Sequence, residues 1–191
     1  MHNNIRTVIN SIYPLGEPDM EALLSCGTIV NLRKGDPIFR QGEVETGFVL
    51  LCEGVLRAYV EKGGKQTVVW FNTPGEVVVS SWGYLCNEPA KLSIAASCPA
   101  VIIRWERERI EKLFTRSPEI GIWGRRLYLK VILNMDEAMV ALSSQSAAER
   151  YEGLAGKMPD LFQYVSLKEL AGYLGIAPES LSRLRARLAK K

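Results

Sequence analysis

Between Gly27 and Ile103 the chain is a succession of short β-type runs broken by glycine: "FVLLCE", "VLRAYVE", "KQTVVWF", "EVVVSS", "KLSIAAS" and "AVIIRW". Such runs are rich in the β-branched and aromatic residues that fit a pleated, half-buried surface. Gly63-Gly64, between "VLRAYVEK" and "KQTVVWF", is a hairpin signal, because glycine enters positive φ without steric cost. No helical segment in this stretch is long enough to cross between parallel strands, which leaves an antiparallel barrel or jelly roll. The expected fold class is α+β, an antiparallel β-roll followed by helices.

Past Trp105 the apolar period changes from two to about three and a half. Ser117-Pro118-Glu119 opens a helix, since proline is tolerated in a first turn, and no further proline occurs before Pro159. A helix from 118 to about 143 is expected. Tyr128, Ile132, Met135, Met139 and Leu142 form one apolar stripe on it, and Trp123, Leu127, Val131 and Ala138 line a neighbouring face. A helix packed on one domain needs one stripe, so the second points to a partner helix in a two-fold dimer. The alternative is one broad face buried within a monomer. Asn134 interrupts a stripe, either setting register or facing solvent.

"LSSQSAAER" (142–150) joins this helix to a further helical unit, in which Met158-Pro159-Asp160 stops the first segment. Ser166 and Glu169 then form a capping box before "LKELAGYLG", Gly175 stops that helix, and Pro178 opens another. Small Ala171, the glycine at 175, and Ile176, Leu181 and Leu184 directed inward have the spacing of a helix-turn-helix. Glu179, Ser180, Ser182, Arg183 and Arg187 remain outward. Arginine can bond a guanine edge bidentately, glutamate can accept from cytosine, and serine reaches phosphate or base. Lys190 and Lys191 add phosphate contacts. A helical hairpin making a protein contact, its basic end complementing the helix dipole, is the bland alternative. It requires neither the small residue, the glycine nor the basic tail. The units expected are thus a roll with an N-terminal helix over 1–116, the long helix over 117–144, and a DNA-binding unit over 145–191.

Residues 1–103 carry 8 basic and 10 acidic groups and 104–191 carry 16 and 11, so an anionic partner would dock on the second half. His2 is the sole histidine, which removes the usual material for acid–base catalysis or histidine metal ligation and argues against an enzyme. Cys26, Cys52, Cys86 and Cys98 form no CxxC pair, so neither a metal site nor a cofactor is expected. Redox or haem sensing through these thiols is a weaker alternative. No apolar run approaches the roughly 18 residues of a membrane span, and the first 20 residues lack a signal-peptide pattern, so the expected compartment is the cytoplasm.

With these features in place, the chain resembles transcription regulators of the cyclic-AMP receptor and fumarate–nitrate regulator type (Crp/Fnr). The resemblance rests on "LRKGDPIFRQGE", "FVLLCEGVLRAYV", Gly75-Glu76 and "IAPESLSRLR". It implies a cyclic-nucleotide-binding-like roll, a homodimer helix, a helix-turn-helix on double-stranded DNA and RNA polymerase as a candidate partner. It places Glu179 and Arg183 at base-contacting positions, with Pro178 replacing a frequent polar contact. It also makes Gly75-Glu76 the start of a phosphate-binding cassette, but the Arg-Ser pair expected there is absent and Lys91-Leu92-Ser93 stands near its place. Lysine lacks the planar two-pronged donor set of arginine. The effector-pocket candidates are therefore Gly75, Glu76, Trp82, Tyr84, Lys91 and Ser93, for a small molecule other than cyclic AMP. A second departure is the missing β-wing after the recognition helix, which reads as a short variant. A competing function is a ligand- or partner-binding module whose C-terminal helices are only structural.

Overall fold

The computed structural model describes residues 2–188, with side chains from residue 4 onward. Two helices, α1 (His2–Ile12) and α2 (Glu17–Cys26), precede the strands β1 (Thr28–Leu32), β2 (Pro37–Phe39), β3 (Phe48–Glu53), β4 (Leu56–Lys62), β5 (Lys65–Asn72) and β6 (Val77–Val78). A short helix α3 (Ser81–Cys86) comes before β7 (Ser93–Ala96) and β8 (Ala100–Trp105). The strands form two four-stranded antiparallel sheets, ordered β1-β8-β3-β6 and β2-β7-β4-β5. Gly63 and Gly64 both hold positive φ, 58° and 73°, and close the hairpin in which Lys62 faces Lys65, as expected of the pair.

Three apolar layers organise the molecule. Phe39, Val49, Leu51, Leu56, Ala58, Val78, Ile94 and Ile102 fill the space between the sheets. Phe48, Leu50 and Cys52, alternating with Val49 and Leu51, point the other way, into a layer built with Ile5, Ile9, Met20, Leu23, Trp105 and Trp123. Strand β3 is thus buried on both faces, which is why it reads as an unbroken apolar run. Two helices occupy the place of the single one expected at the N-terminus. Trp105 donates from its indole to the Leu23 carbonyl at 2.8 Å and Trp123 to that of Ile9 at 3.1 Å, anchoring α2 and α1.

After α4 (Arg107–Arg116) comes α5 (Pro118–Ser144), the 27-residue helix announced by Ser117-Pro118; the Ser117 hydroxyl accepts from the Ile120 amide. Its first half buries Ile120, Trp123 and Leu127 against the roll. From Leu129 onward it leaves Leu129, Ile132, Leu133, Met135, Met139, Val140 and Leu142 between 53% and 66% exposed.

The third layer joins the roll to α6 (Ala147–Lys157), α7 (Leu161–Tyr164), α8 (Leu167–Leu174) and α9 (Pro178–Leu188). Val55, Val68, Phe71 and Cys98 share one buried cluster with Leu154, Leu161, Leu170, Ala171, Leu174, Leu181 and Leu184. The C-terminal helices, expected as a separate unit, therefore complete their core on the outer face of β4 and β5.

Candidate nucleic-acid interface

The α8–α9 pair is built as its spacing announced. Both halves of the Ser166–Glu169 capping box are made, and Gly175 turns the chain at φ 69°. Leu181 and Leu184 are buried, and Ile176 packs against the same core. That leaves Glu179, Ser182, Arg183 and Arg187 on the exposed side of α9. Ser180 is half-buried, and its hydroxyl accepts from the Arg183 guanidinium at 3.2 Å, so it steadies Arg183. Among the described residues Arg183, Arg185 and Arg187 have no carboxylate partner, which leaves three guanidinium groups open to an anion. Arg185, four residues after Leu181, stands on the other side of α9 from Arg183 and is exposed. Lys190 and Lys191 lie outside the described residues.

On α5, Ile132, Met135, Met139 and Leu142 stand exposed together, joined by Leu129, Leu133 and Val140, which the heptad-like spacing did not select. Tyr128 departs from this set. It is half-buried, its ring 5.8 Å from Phe48, because at that height α5 still rests on the roll. Asn134 is half-buried, and its amide donates to Glu76 at 2.8 Å.

The six effector-pocket candidates do not converge. Gly75-Glu76 precedes β6, and the helix that follows, α3, is opened by Ser80, whose hydroxyl accepts from the Gly83 amide. Glu76 is buried and accepts from the Thr73 amide (3.0 Å), Asn72 (3.3 Å) and Asn134. Tyr84 is a core residue that donates to Glu111 at 2.5 Å, and burial first, then that carboxylate, pushes its phenol far above the ordinary range. Ser93 is buried and accepts from the Gln41 amide at 2.9 Å. Lys91 is exposed, and Trp82 is 40% exposed. Tyr84 thus enters the layer beneath α5, Ser93 pairs with the Gln41 amide, and Lys91 faces solvent. A cleft of about 640 Å³ lies instead among Trp70, Thr73 and Glu76 of the roll, Lys130 and Asn134 of α5, and Tyr173 of α8.

The cysteines are all free. Burial pushes the Cys52 thiol up to about 11 and raises that of Cys26, so neither is poised as a thiolate.

Residues 29–117 match the cyclic nucleotide-binding domain. The chain is 26% identical to the transcriptional activator protein FnrA of Stutzerimonas stutzeri, over 82% of this chain and 68% of that one. It is 26% identical to the transcriptional activator protein Anr of Pseudomonas protegens, over 97% and 83%. In fold it is similar to FixK2 of Bradyrhizobium japonicum (TM-score 0.68, 22% identity, 86% of this chain and 85% of that one). It is also similar to the c-di-GMP responsive global regulator CLP of Xanthomonas campestris (TM-score 0.69, 16% identity, 92% of each).

Proposed function

From a chain that is a transcription regulator of the Crp/Fnr type and not an enzyme, we infer a homodimer that reads a specific DNA sequence through α9. The observation that carries this reading is the α9 face: Arg183 and Arg187, without carboxylate partners among the described residues, follow Glu179 at four-residue spacing on a helix fixed by the Gly175 turn. The exposed stripe of α5 supports the two-fold, because seven adjacent large apolar residues open to water are what an unpaired seam presents. Each protomer then offers one α9 to the major groove, at half-sites one helical turn, about 34 Å, apart. That relatives are named as transcriptional activators supports RNA polymerase as a protein partner of the bound dimer.

The filled space between the sheets and the engagement of Glu76 with Asn72, Thr73 and Asn134 support a regulator that does not use cyclic AMP. An effector, where one acts, has room in the cleft between Trp70, Lys130 and Tyr173. The cytoplasm follows from the DNA target; no helix among the described residues is long and apolar enough to cross a membrane.

Selection of bound sequences from random duplex DNA, with and without cyclic nucleotides, tests the reading. A palindromic motif enriched equally in both arms is expected; no enriched motif overturns it. One observation favours a second reading, in which the C-terminal helices only cap the roll: their core is continuous with Val68 and Phe71. On that reading any DNA affinity lacks the steep salt dependence that phosphate neutralisation gives.

A further inference from the structure

We propose that the outer face of the roll is a seat that fixes the posture of the helix-turn-helix, and that Arg57 on β4 is its positioning residue. The inference rests on the reading of α9 as the DNA-reading helix.

Helix α8 lies directly on β5. A Cβ placed on Gly172 would stand 3.4 Å from the Val68 amide nitrogen, and Tyr173 packs its ring 5.4 Å from Phe71 and 6.5 Å from Trp70. An apolar contact of this kind is strong but non-directional, and it leaves sliding and rotation open. The direction comes from an ion pair. Arg57 donates to Glu169 with both side chains less than one-fifth exposed, and the Arg57 guanidinium also stands 5.5 Å from the Tyr59 ring. The partner is no ordinary surface glutamate. Its second oxygen accepts from the amide and hydroxyl of Ser166, both at 2.8 Å, and so closes the N-terminus of α8. One carboxylate thus ties the start of α8 to a strand 112 residues away. Charge-assisted bonds are short and oriented, which a packed face is not.

The other end of α8 is held as well. Arg150 of α6 donates to the carbonyls of Gln145, where α5 ends, and Leu174, where α8 ends, each at 2.7 Å. With α8 pinned at both ends and α9 joined to it by a two-bond Gly175 turn, the axis of α9 is fixed relative to the roll and to α5. A dimer built on α5 therefore presents its two reading helices at one separation. Arg57 touches no DNA in this arrangement; it sets the spacing between half-sites that the dimer accepts.

The test uses the full chain and the selected palindrome, together with versions carrying one base pair more or fewer between half-sites. One base pair displaces a half-site by about 3.4 Å and turns it by about 35°, so the wild type should lose affinity by roughly 10- to 100-fold on the altered spacings. In Arg57→Met this penalty should shrink to about 3-fold or less, with dimerisation and affinity for random DNA unchanged, and Arg57→Lys should restore most of it. Glu169→Gln keeps an acceptor for the cap while removing the charge, and should reproduce the relaxed spacing; a fold lost by omission of the arginine does not obscure this variant. Retention of the wild-type penalty in Arg57→Met or Glu169→Gln overturns the inference and leaves the DNA reading intact. A wild type that enriches no sequence overturns both.

Discussion

Truncating the exposed stripe of α5 is the most direct test of the dimer. Its seven large apolar residues are between 53% and 66% exposed. At about 100 Å² each they offer roughly 700 Å² per protomer, close to the ~800 Å² per partner of a standard interface. Ile132 sits mid-stripe. Full burial of such a side chain contributes about 1.5–3 kcal/mol, and half of its surface remains to be covered, so Ile132→Ala should cost about 0.75–1.5 kcal/mol per protomer. The seam is two-fold and the loss counts twice, about 1.5–3 kcal/mol, or a roughly 10- to 150-fold rise in the dimer dissociation constant. Ile132→Glu combined with Met139→Glu adds uncompensated charge to a dry surface and should leave monomers. Sedimentation equilibrium across nanomolar to micromolar protein reads both. Because Ile132 and Met139 are exposed in the protomer, circular dichroism and the protomer's fold should be unchanged. A wild type that is monomeric at micromolar concentration, or a double glutamate variant that stays dimeric, refutes the reasoning.

Arg183→Ala should cost about 1–3 kcal/mol on the selected site and relax preference at one base pair, read by binding to single-base variants of that site. Cyclic AMP and cyclic GMP should show no submicromolar binding in calorimetric titration; tight binding abolished by Lys91→Ala would show that the exposed lysine does reach a bound phosphate. Burial opposes the charge on Glu169, but the Ser166 amide and hydroxyl with the Arg57 guanidinium outweigh it and hold its carboxyl below the usual range. Its native value being depressed, its contribution is fully present above the ordinary glutamate range and is lost as the pH falls through the lowered value; tryptophan fluorescence near Tyr173 should report loosening there, and Glu169→Gln should lack that acid step. Gly83→Ala should destabilise by about 1–3 kcal/mol in urea unfolding, because the added carbon would meet the Glu45 carbonyl oxygen at 1.9 Å.

Local rules carried much of the sequence reading. The Gly63-Gly64 hairpin, the Ser117-Pro118 start and the Ser166–Glu169 box each depend on residues within a few positions of one another, and each forms as its chemistry requires. What failed to read was contact across the chain. Tyr84, Ser93 and Lys91 are neighbours in sequence, yet the strand pleat and the turn after α3 direct them to core, sheet interior and solvent. Asn134 and Glu76 are 58 residues apart, and Arg57 and Glu169 112, so no pattern in either segment announces the pairing. Tyr128 fits its helical stripe perfectly well; only the length of α5 resting on the roll decides that it faces inward.

The two indole bonds that anchor α1 and α2 also set a timetable for synthesis. Ile9 waits for Trp123, 114 residues downstream, and Leu23 for Trp105, 82 residues downstream. At about 5–20 residues per second the ribosome needs roughly 4–16 s to deliver Trp105 after the Leu23 carbonyl and roughly 6–23 s to deliver Trp123 after that of Ile9. Through that interval the apolar faces of Ile5, Ile9, Met20 and Leu23 lack the two indoles that close their layer, with only β3 and the strands after it already made, although all four end fully enclosed. The nascent chain is therefore most open to chaperone capture, and to aggregation, before the opening turns of α5 leave the exit tunnel.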